Sequence, residues 1–341
     1  MIVVTGATGH IGNVLVRQLL SMREKVRILV SPFEDLKPLD GLDVEIFRGD
    51  VLKIQDLEKA FQGAEIVFHL AGVISITPKK RNLMYKVNVE GARNVARVCR
   101  KLGIKRLVHM SSVHALREVK PGSIINENVP FDPENVRGHY ARSKALGSLA
   151  VLEEVKKGLD AVIICPTGVI GPYDYRLSEM GRVILKCARN KLKMCIKGRF
   201  DFVDVRDVAR GAVLAAEKGR KGEVYILSGS SVWIQDLLIT VQKIVGTPPK
   251  VLIMPIFLAK VAAAFAVLLS HFPGYEPLLT PYSIHTLTLN YMFSYAKAFK
   301  ELGYIPRYTL KHSIKDTIDW FMHNDFLSPP KCTNSKTVED F

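Results

Sequence analysis

The chain has 341 residues, which is enough for one large domain or two unequal ones, and its 48% hydrophobic residues suffice for a full core. Its formal net charge of +15 is spread along amphipathic segments and is not gathered in a run with interleaved aromatic residues, which argues against a nucleic-acid partner. The five cysteines form no CxxC pair and have no histidine at metal-ligand spacing, so we expect reduced thiols and no metal site. The first apolar strand starts at Met1, so we expect a cytoplasmic protein without a signal peptide.

The first predicted strand, Met1–Thr5, leads into a glycine-rich turn and then into a helix. Gly6 permits a tight turn, Gly9 lets the backbone approach a diphosphate, and Gly12 lets the helix pack against the strand. The free N–H groups and the positive end of the helix dipole then face the phosphates. We therefore predict a dinucleotide site that includes Gly6, Thr8, Gly9, His10, Ile11 and Gly12.

The end of the second predicted strand, Val26–Val30, bears on the choice of dinucleotide. An acidic residue there normally holds the adenosine ribose hydroxyls and selects NAD. Here the strand is followed by Ser31, which is small and can donate to a phosphate, and Glu34 comes only later. Arg27 and Lys37 could add positive charge. The pattern favours NADP and leaves NAD open.

The third and fourth predicted strands, Val44–Phe47 and Ile66–Leu70, end in further candidate contacts. Asp50 and Val51 could meet the adenine edge, or Asp50 could equally well cap the following helix. Small residues after the fourth strand would let the backbone pass close to the cofactor. This segment comprises Leu70, Ala71 and Gly72. His69, within the fourth strand, is predicted to be a structural histidine.

A serine pair, Ser111-Ser112, ends the fifth predicted strand, Arg106–Met110, and a helix is predicted over His139–Lys156. Tyr140 and Lys144 lie four residues apart and so on one face of that helix. An ammonium beside a phenol is expected to lower the phenol pKa from about 10 and make it usable as a general acid or base. Together with the dinucleotide turn, this arrangement predicts an enzyme.

The remaining elements complete an α/β fold. Strands at Ala161–Cys165 and Glu223–Leu227 and a helix at Val205–Lys218 extend the alternation of strands and helices, which predicts a Rossmann-type doubly wound parallel sheet. Two later segments are mainly helical and are expected to form a smaller substrate domain over the carboxyl ends of the strands. The predicted division is 1–171 with 198–230 for the dinucleotide domain, 172–197 with 231–326 for the substrate domain, and 327–341 for a flexible tail.

Residues 251–270 are highly apolar and about as long as a bilayer span, but Pro255 and Lys260 interrupt them. We expect a buried or cleft-lining helix pair here, with a peripheral membrane contact at most. If the segment lines a cleft, its side chains favour a hydrophobic or bulky substrate, although the same residues could be plain core. These side chains are Ile256, Phe257, Phe265, Leu268 and Leu269.

The combined motifs resemble the extended short-chain dehydrogenase/reductases, in the NAD-dependent epimerase/dehydratase superfamily. The matching segments are TGATGHIG at 5–12, HLAG at 69–72, NVEGARN at 88–94, YARSK at 140–144, PTGVIGP at 166–172 and FDFVDVRDVA at 200–209. The chain is most similar to the dihydroflavonol-reductase and hydroxysteroid-dehydrogenase-like branch. Members of that branch that use NADP often carry arginine where Ser31 stands here.

The resemblance implies a set of functional residues and a reaction. Ser112, Tyr140 and Lys144 match the catalytic triad, and Asn88 matches a fourth residue that shapes the proton path. The segment beside the nicotinamide is matched by Pro166, Thr167 and Val169. The implied activity is NAD(P)-dependent hydride transfer to or from a small-molecule carbonyl or secondary alcohol. A homodimer through the helices at 82–102 and 139–156 is implied as well.

Two other functions remain open at this point. The first is a nucleotide-sugar epimerase or dehydratase that holds NAD tightly through one catalytic cycle. The second is a non-enzymatic dinucleotide-sensing protein, for which a tyrosine and a lysine on one helix face would have no purpose.

Overall fold

The structure is a computed structural model and describes residues 1–74, 80–269 and 277–328. The predicted tail at 327–341 falls outside these ranges from residue 329 onward, as do Pro273 and Cys332. Within them, the strands are β1 (Ile2–Thr5), β2 (Val26–Val30), β3 (Glu45–Arg48), β4 (Ile66–His69), β5 (Arg106–Met110), β6 (Ile124–Ile125), β7 (Ala161–Pro166), β8 (Gly168–Ile170), β9 (Met194–Ile196), β10 (Arg199–Asp204), β11 (Val224–Leu227), β12 (Ser230–Trp233), β13 (Leu252–Met254) and β14 (Met292–Phe293).

The helices alternate with these strands in the first two thirds of the chain and dominate the last third. In the described ranges they are α1 (His10–Ser21), α2 (Ile54–Phe61), α3 (Arg81–Tyr85), α4 (Ala92–Lys101), α5 (His139–Lys156), α6 (Glu179–Ala188), α7 (Val205–Lys218), α8 (Ile234–Ile244), α9 (Ile256–Leu269), α10 (Pro281–Thr288), α11 (Ala296–Leu302) and α12 (Leu310–His323). A π-helical turn at Lys86–Gly91 joins α3 to α4.

Seven strands form one parallel sheet in the order β11-β7-β5-β4-β1-β2-β3. Its strands are runs of β-branched and apolar residues, such as IVVT in β1, because a parallel sheet is covered on both faces. One apolar core packs α1 and α7 against one face, and a second packs α2, α4 and α5 against the other. The order reverses between β1 and β4, the crevice where such sheets bind ligands. The predicted α/β doubly wound fold is confirmed.

The later segments contain more strand than the sequence predicted. Beside α6, α8 and α12, which share a third apolar core, there are small sheets of β12-β10-β8, β13-β9 and β14-β6. Apart from β10 and β12, these strands have only two or three residues, too short to show a period-2 pattern in the sequence. The division into a dinucleotide domain and a substrate domain stays a proposal.

The prediction of a buried or cleft-lining helix within 251–270 is wrong for the described part of that segment. α9 buries Ala259 and Ala263 fully, and these pack near Ile196 and Ile284. Most of its larger side chains point away from the protein and are 45–64% exposed. They include all five that were predicted to line a cleft, Ile256, Phe257, Phe265, Leu268 and Leu269.

Candidate active site

The glycine turn after β1 has the shape of a diphosphate cradle. Gly6 adopts a φ of +75°, and a Cβ there would lie 2.6 Å from the backbone nitrogen of Ala71. A Cβ on Gly12 would lie 2.1 Å from the Gly6 carbonyl oxygen. Gly9 precedes α1, and within the described chain no side chain caps this helix and no acidic residue occupies its first turn. The open helix N-terminus therefore fits an anionic dinucleotide.

The segment after β4 joins this turn to the predicted catalytic lysine. Ala71 donates its backbone N–H to Thr5 Oγ1, 3.2 Å away, which holds the segment against β1. At Gly72, a Cβ would meet Asn88 Oδ1 at 3.3 Å and Lys144 Nζ at 3.5 Å. A Cβ here would be in tight contact with Asn88 Oδ1 and in ordinary contact with Lys144 Nζ, so a glycine lets the 69–72 segment pass closest to both side chains.

Asn88 occupies the π-helical turn and is almost fully buried. Its side-chain amide donates to the Val73 carbonyl at 3.0 Å and to Ser143 Oγ at 3.0 Å, and its Oδ1 accepts from Val73 N–H at 2.8 Å. The backbone of the turn lies so close to α5 that a Cβ on Gly147 would be 2.1 Å from the Asn88 carbonyl oxygen. Asn88 thus fixes α5, and with it Tyr140 and Lys144, against the strand ends.

Ser112 and Tyr140 lie together, as predicted. Ser112 follows β5, and its Oγ accepts a hydrogen bond from His114 N–H at 3.2 Å. Tyr140 is the second residue of α5, which begins directly after Gly138, whose φ of +91° turns the chain sharply into the helix. The Ser112 side chain acts as a hydrogen-bonding neighbour of the Tyr140 phenol and lowers its pKa. Lys144, one turn further along, donates to the Met110 carbonyl at 2.7 Å.

The expectation that Lys144 lowers the pKa of Tyr140 is wrong for this structure. Burial raises the pKa of Tyr140 to about 12, and this outweighs the opposite effect of Ser112. Burial also lowers the pKa of Lys144 to about 8. At pH 7 the phenol is therefore neutral, which is the form that donates a proton to a carbonyl oxygen.

The other predicted contacts are distributed along the strand ends. Ser31 is exposed directly after β2, and Arg27 points elsewhere, donating to the carbonyls of Ala60 and Gln62. Asp50 accepts from Leu52 N–H and does not cap α2, which begins after Lys53. His10 Nε2 lies 3.0 Å from the Pro172 carbonyl oxygen. Val51 and Thr167 are buried, and Ile11 is partly buried. Pro166 ends β7, and Val169 lies in β8.

Two charged residues that sequence reasoning did not place in the site meet at the glycine turn. Thr8 Oγ1 donates to Glu34 Oε1 at 2.6 Å and accepts from the guanidinium of Arg176 at 2.8 Å. Glu34 and Arg176 also form an ion pair with each other. The loop after β2 returns to the turn, so an acidic side chain four residues beyond the strand reaches the position that Ser31 was expected to fill.

A small cavity that opens to solvent lies next to the Ser112 and Tyr140 pair. The ring of His114 contacts three aromatic rings here, stacking on Phe200 at 5.6 Å and meeting Tyr140 and Tyr282 at 6.2 and 5.9 Å. Sequence reasoning singled out neither His114 nor Tyr282. The lining residues are Val113, His114, Leu116, Glu118, Arg137, Ala141, Phe200, Tyr282, Thr286, Leu289, Tyr291 and Phe293.

Comparison with known proteins places this arrangement in a family. A family model described as the NAD dependent epimerase/dehydratase family matches residues 2–228. The chain belongs to this family. It is an NAD(P)-dependent oxidoreductase of the extended short-chain dehydrogenase/reductase type, and the enzyme prediction is confirmed. The dinucleotide it uses is established as NAD(P), without a choice between the two.

Similar family members span the whole chain. Sterol demethylase protein B of Methylococcus capsulatus is 35% identical, over 95% of this chain and 99% of the relative. The decarboxylating sterol-4-alpha-carboxylate 3-dehydrogenase of Mus musculus is 28% identical, over 94% of this chain and 90% of the relative. The crystal structure of gox2253 is 33% identical with a TM-score of 0.84, covering 96% of this chain and 99% of that one. UDP-glucuronic acid 4-epimerase from Bacillus cereus, solved with NAD, shares the fold at 20% identity and a TM-score of 0.77.

Two buried histidines below the site should make this family member sensitive to acid. His69 and His109 stack with ring centroids 5.4 Å apart, and His69 Nδ1 lies 2.8 Å from Thr5 Oγ1. Among the described residues, His69 Nε2 and both ring nitrogens of His109 have no hydrogen-bond partner. Burial, together with the nearby charge of Lys144, lowers the pKa of His69 to about 3 and that of His109 well below its usual range.

A histidine that stays neutral in the folded protein lowers the free energy of unfolding as pH falls below about 6.5, because only the unfolded state takes up the proton. We expect each such histidine to cost about 2 kcal/mol of unfolding free energy between pH 7 and pH 5. In a His109→Phe variant, the fall in unfolding free energy between pH 7 and pH 5 should be smaller than in the parent by about that amount. Denaturant unfolding at both pH values measures it. His312→Gln, at an exposed position, is the control. Equal pH dependence in His109→Phe and the parent would contradict this account.

Proposed function

We propose that the chain interconverts a secondary alcohol and a ketone on a bulky, apolar ring substrate of the sterol class. The observation that carries this proposal is the cavity beside Tyr140, whose walls are largely apolar or aromatic: Val113, Leu116, Ala141, Phe200, Leu289 and Phe293. Such a lining favours a hydrophobic ring over a hydroxylated sugar, because a sugar would leave its polar groups unpaired. Two similar relatives named for sterols support the same substrate class.

The proposed roles follow from the geometry around Ser112. The nicotinamide, when bound, accepts or supplies the hydride. Tyr140 holds the proton at its phenolic oxygen and passes it to or from the substrate oxygen, and Ser112 hydrogen-bonds that same oxygen. Lys144 binds the nicotinamide ribose, and Asn88 holds α5 in position through Val73 and Ser143. Residues 5–12, Asp50, Val51 and the segments at 70–72 and 166–169 bind the dinucleotide.

A substrate comparison tests this proposal. The purified chain is incubated with NAD or NADP and either a 3β-hydroxysteroid or UDP-glucose, and reduced dinucleotide is followed by its fluorescence. We expect net reduction of the dinucleotide with the steroid alone. Conversion of the nucleotide sugar by protein that retains its dinucleotide through purification would assign an epimerase instead. Binding of dinucleotide without turnover of any carbonyl compound or alcohol would assign a sensor.

We also propose that the dinucleotide is NAD, because Glu34 supplies the carboxylate that the strand end lacks. Glu34 is only 20% exposed and lies against Thr8, where it would accept ribose hydroxyls and repel a 2′-phosphate. We expect the parent to bind NADH more tightly than NADPH. A Glu34→Gln variant should bind NADPH about tenfold more tightly than the parent, since the repulsion is removed.

The control for this experiment is Asp35→Asn, which removes the adjacent carboxylate. Asp35 is exposed, and its carboxylate accepts a hydrogen bond from Lys37 N–H. Its removal should leave the preference for NADH over NADPH unchanged. Tighter binding of NADPH than NADH by the parent would instead show that Arg176 holds a 2′-phosphate and that Glu34 does not select the cofactor.

The assembly and location of the chain remain proposals as well. A homodimer would pair α4 and α5 with those of a second copy, and sedimentation analysis would detect it. A cytoplasmic location agrees with reduced cysteines, and Cys99, Cys165, Cys187 and Cys195 are free thiols in the described ranges.

A further inference from the structure

The outer surface of α9 and β13 is apolar, in a chain that is otherwise well covered with charge. Phe257, Val261 and Phe265 form a stripe along α9 and are 64, 55 and 64% exposed. Leu252 and Ile253 of β13, the strand just before α9, are also exposed, by 54 and 48%. We call these five residues the α9 face. Contiguous exposed apolar side chains of this kind mark a binding surface.

The composition of α9 is that of a helix with apolar surroundings on all sides. Its inner side packs Ala259 and Ala263 on the protein, and its outer side carries the stripe, while Lys260 is its one charged residue. A helix that is apolar all round is normally buried in a large protein or in lipid. With 14 residues it is about 21 Å long, shorter than a bilayer core of about 30 Å. Within the described residues, no helix has the length and apolarity needed to cross a membrane.

The described charges around the α9 face are mainly positive. Segments 186–199 and 243–269 together contain nine lysines and arginines and no aspartate or glutamate. Lys193 is tied to the face directly, since its carbonyl accepts from Leu252 N–H at 2.9 Å. Lys250, Lys197 and Lys260 are exposed around it. Asp236, across the groove beside Ile253, is the exception among its neighbours. An apolar centre with a lysine rim is complementary to anionic lipid.

We infer that the α9 face docks the protein on the surface of an anionic bilayer, with the stripe inserted among the acyl chains and the lysines at the headgroups. One element connects this face to the active site. α10 packs on α9 near Ala259 and Ala263 through Ile284, and it also supplies Tyr282 and Thr286 to the cavity beside Tyr140. The docked bilayer would therefore lie one helix away from the cavity and could deliver a membrane-dissolved substrate to it.

Vesicle co-sedimentation tests this inference without reference to activity. The parent chain is mixed with vesicles of phosphatidylcholine alone or of phosphatidylcholine with an equal share of phosphatidylglycerol. We expect binding to the anionic vesicles that weakens as salt is raised. The double variant Phe257→Ser, Phe265→Ser should bind at least about tenfold more weakly, because two inserted rings are lost. The variant Lys193→Gln, Lys250→Gln should lose the preference for anionic lipid.

The matched control is Phe299→Ser on α11, a phenylalanine that is 53% exposed and lies outside the face. It should bind vesicles like the parent. The rate at which a water-soluble secondary alcohol is oxidised should be the same in the parent and in all variants. This measurement separates docking from catalysis. Failure of the parent to sediment with anionic vesicles at low salt would overturn the inference. So would a dimer that the double variant converts to monomer, since the face would then belong to a second copy.

Discussion

A Tyr140→Phe variant should retain the fold and dinucleotide binding and lose about a hundredfold to ten-thousandfold in turnover, the range for loss of a general acid–base group. In the proposed mechanism the phenol is the proton carrier beside Ser112, and its ring, which packs against His114, is retained in phenylalanine. Single-turnover hydride transfer with bound NADH and a saturating ketone measures the effect directly. Dinucleotide affinity, measured by titration, should change little because the diphosphate is held by the glycine turn.

Tyr282→Phe is the comparison variant, because Tyr282 presents the other tyrosine ring near His114 in the same cavity. Removing its hydroxyl should change substrate affinity and leave the hydride-transfer step within about tenfold of the parent. Parental turnover in Tyr140→Phe would reject the proposed proton carrier. An equal loss in both variants would mean that the two phenols act together and that the assignment to Tyr140 alone is wrong.

The raised pKa of Tyr140 bears on the direction of the reaction. With a pKa of about 12, the phenol is protonated at neutral pH, whereas alcohol oxidation requires it to accept a proton. Burial has the largest effect on the pKa of both groups, although Lys144 is buried and Tyr140 only half-buried, and Lys144 Nζ is engaged with the Met110 carbonyl. The one-turn spacing of these residues predicted their proximity but not the free energy of desolvation, which depends on everything packed around them.

Long regular elements were predictable from the sequence for a simple reason. Helices α5 and α7 and strands β2 and β5 agree with their predicted bounds residue for residue, because each combines a clear apolar period with a turn signal at its ends. The glycine spacing at 6, 9 and 12 likewise predicted the turn, since Gly6 and Gly12 exclude a Cβ for steric reasons that hold in any such strand–turn–helix unit.

The remaining features depend on contacts between distant segments. The π-helical turn around Asn88 forms within one continuous helical pattern, and only its packing on Gly147 of α5 explains its position. Glu34 reaches Thr8 because the loop after β2 folds back, and Arg176 arrives from the loop after β8. The apolar character of α9 was evident, but apolarity alone does not distinguish a core helix from a surface helix.

Alanine at Gly9 and at Gly12 should separate dinucleotide binding from stability, because binding should weaken at both positions and stability should fall only at Gly12. A Cβ on Gly9 would meet only the Gly6 carbonyl oxygen, at 3.3 Å, and Gly9 has no left-handed φ. Gly9→Ala should therefore have about the same free energy of unfolding as the parent. It should bind dinucleotide about a hundredfold more weakly, because the methyl group occupies space that the diphosphate needs at the start of α1.

Gly12→Ala should lose both properties, since its Cβ would lie 2.1 Å from the Gly6 carbonyl oxygen and 2.9 Å from Ala7 Cα. Backbone atoms cannot rotate away as a side chain would, so α1 must shift from β1, at a cost of about 1–3 kcal/mol of unfolding free energy typical of overpacking. Denaturant unfolding and NADH titration of the two variants and the parent make the comparison. If Gly9→Ala bound NADH like the parent, the turn would not hold the diphosphate, and the assignment of residues 5–12 to the cofactor would be wrong.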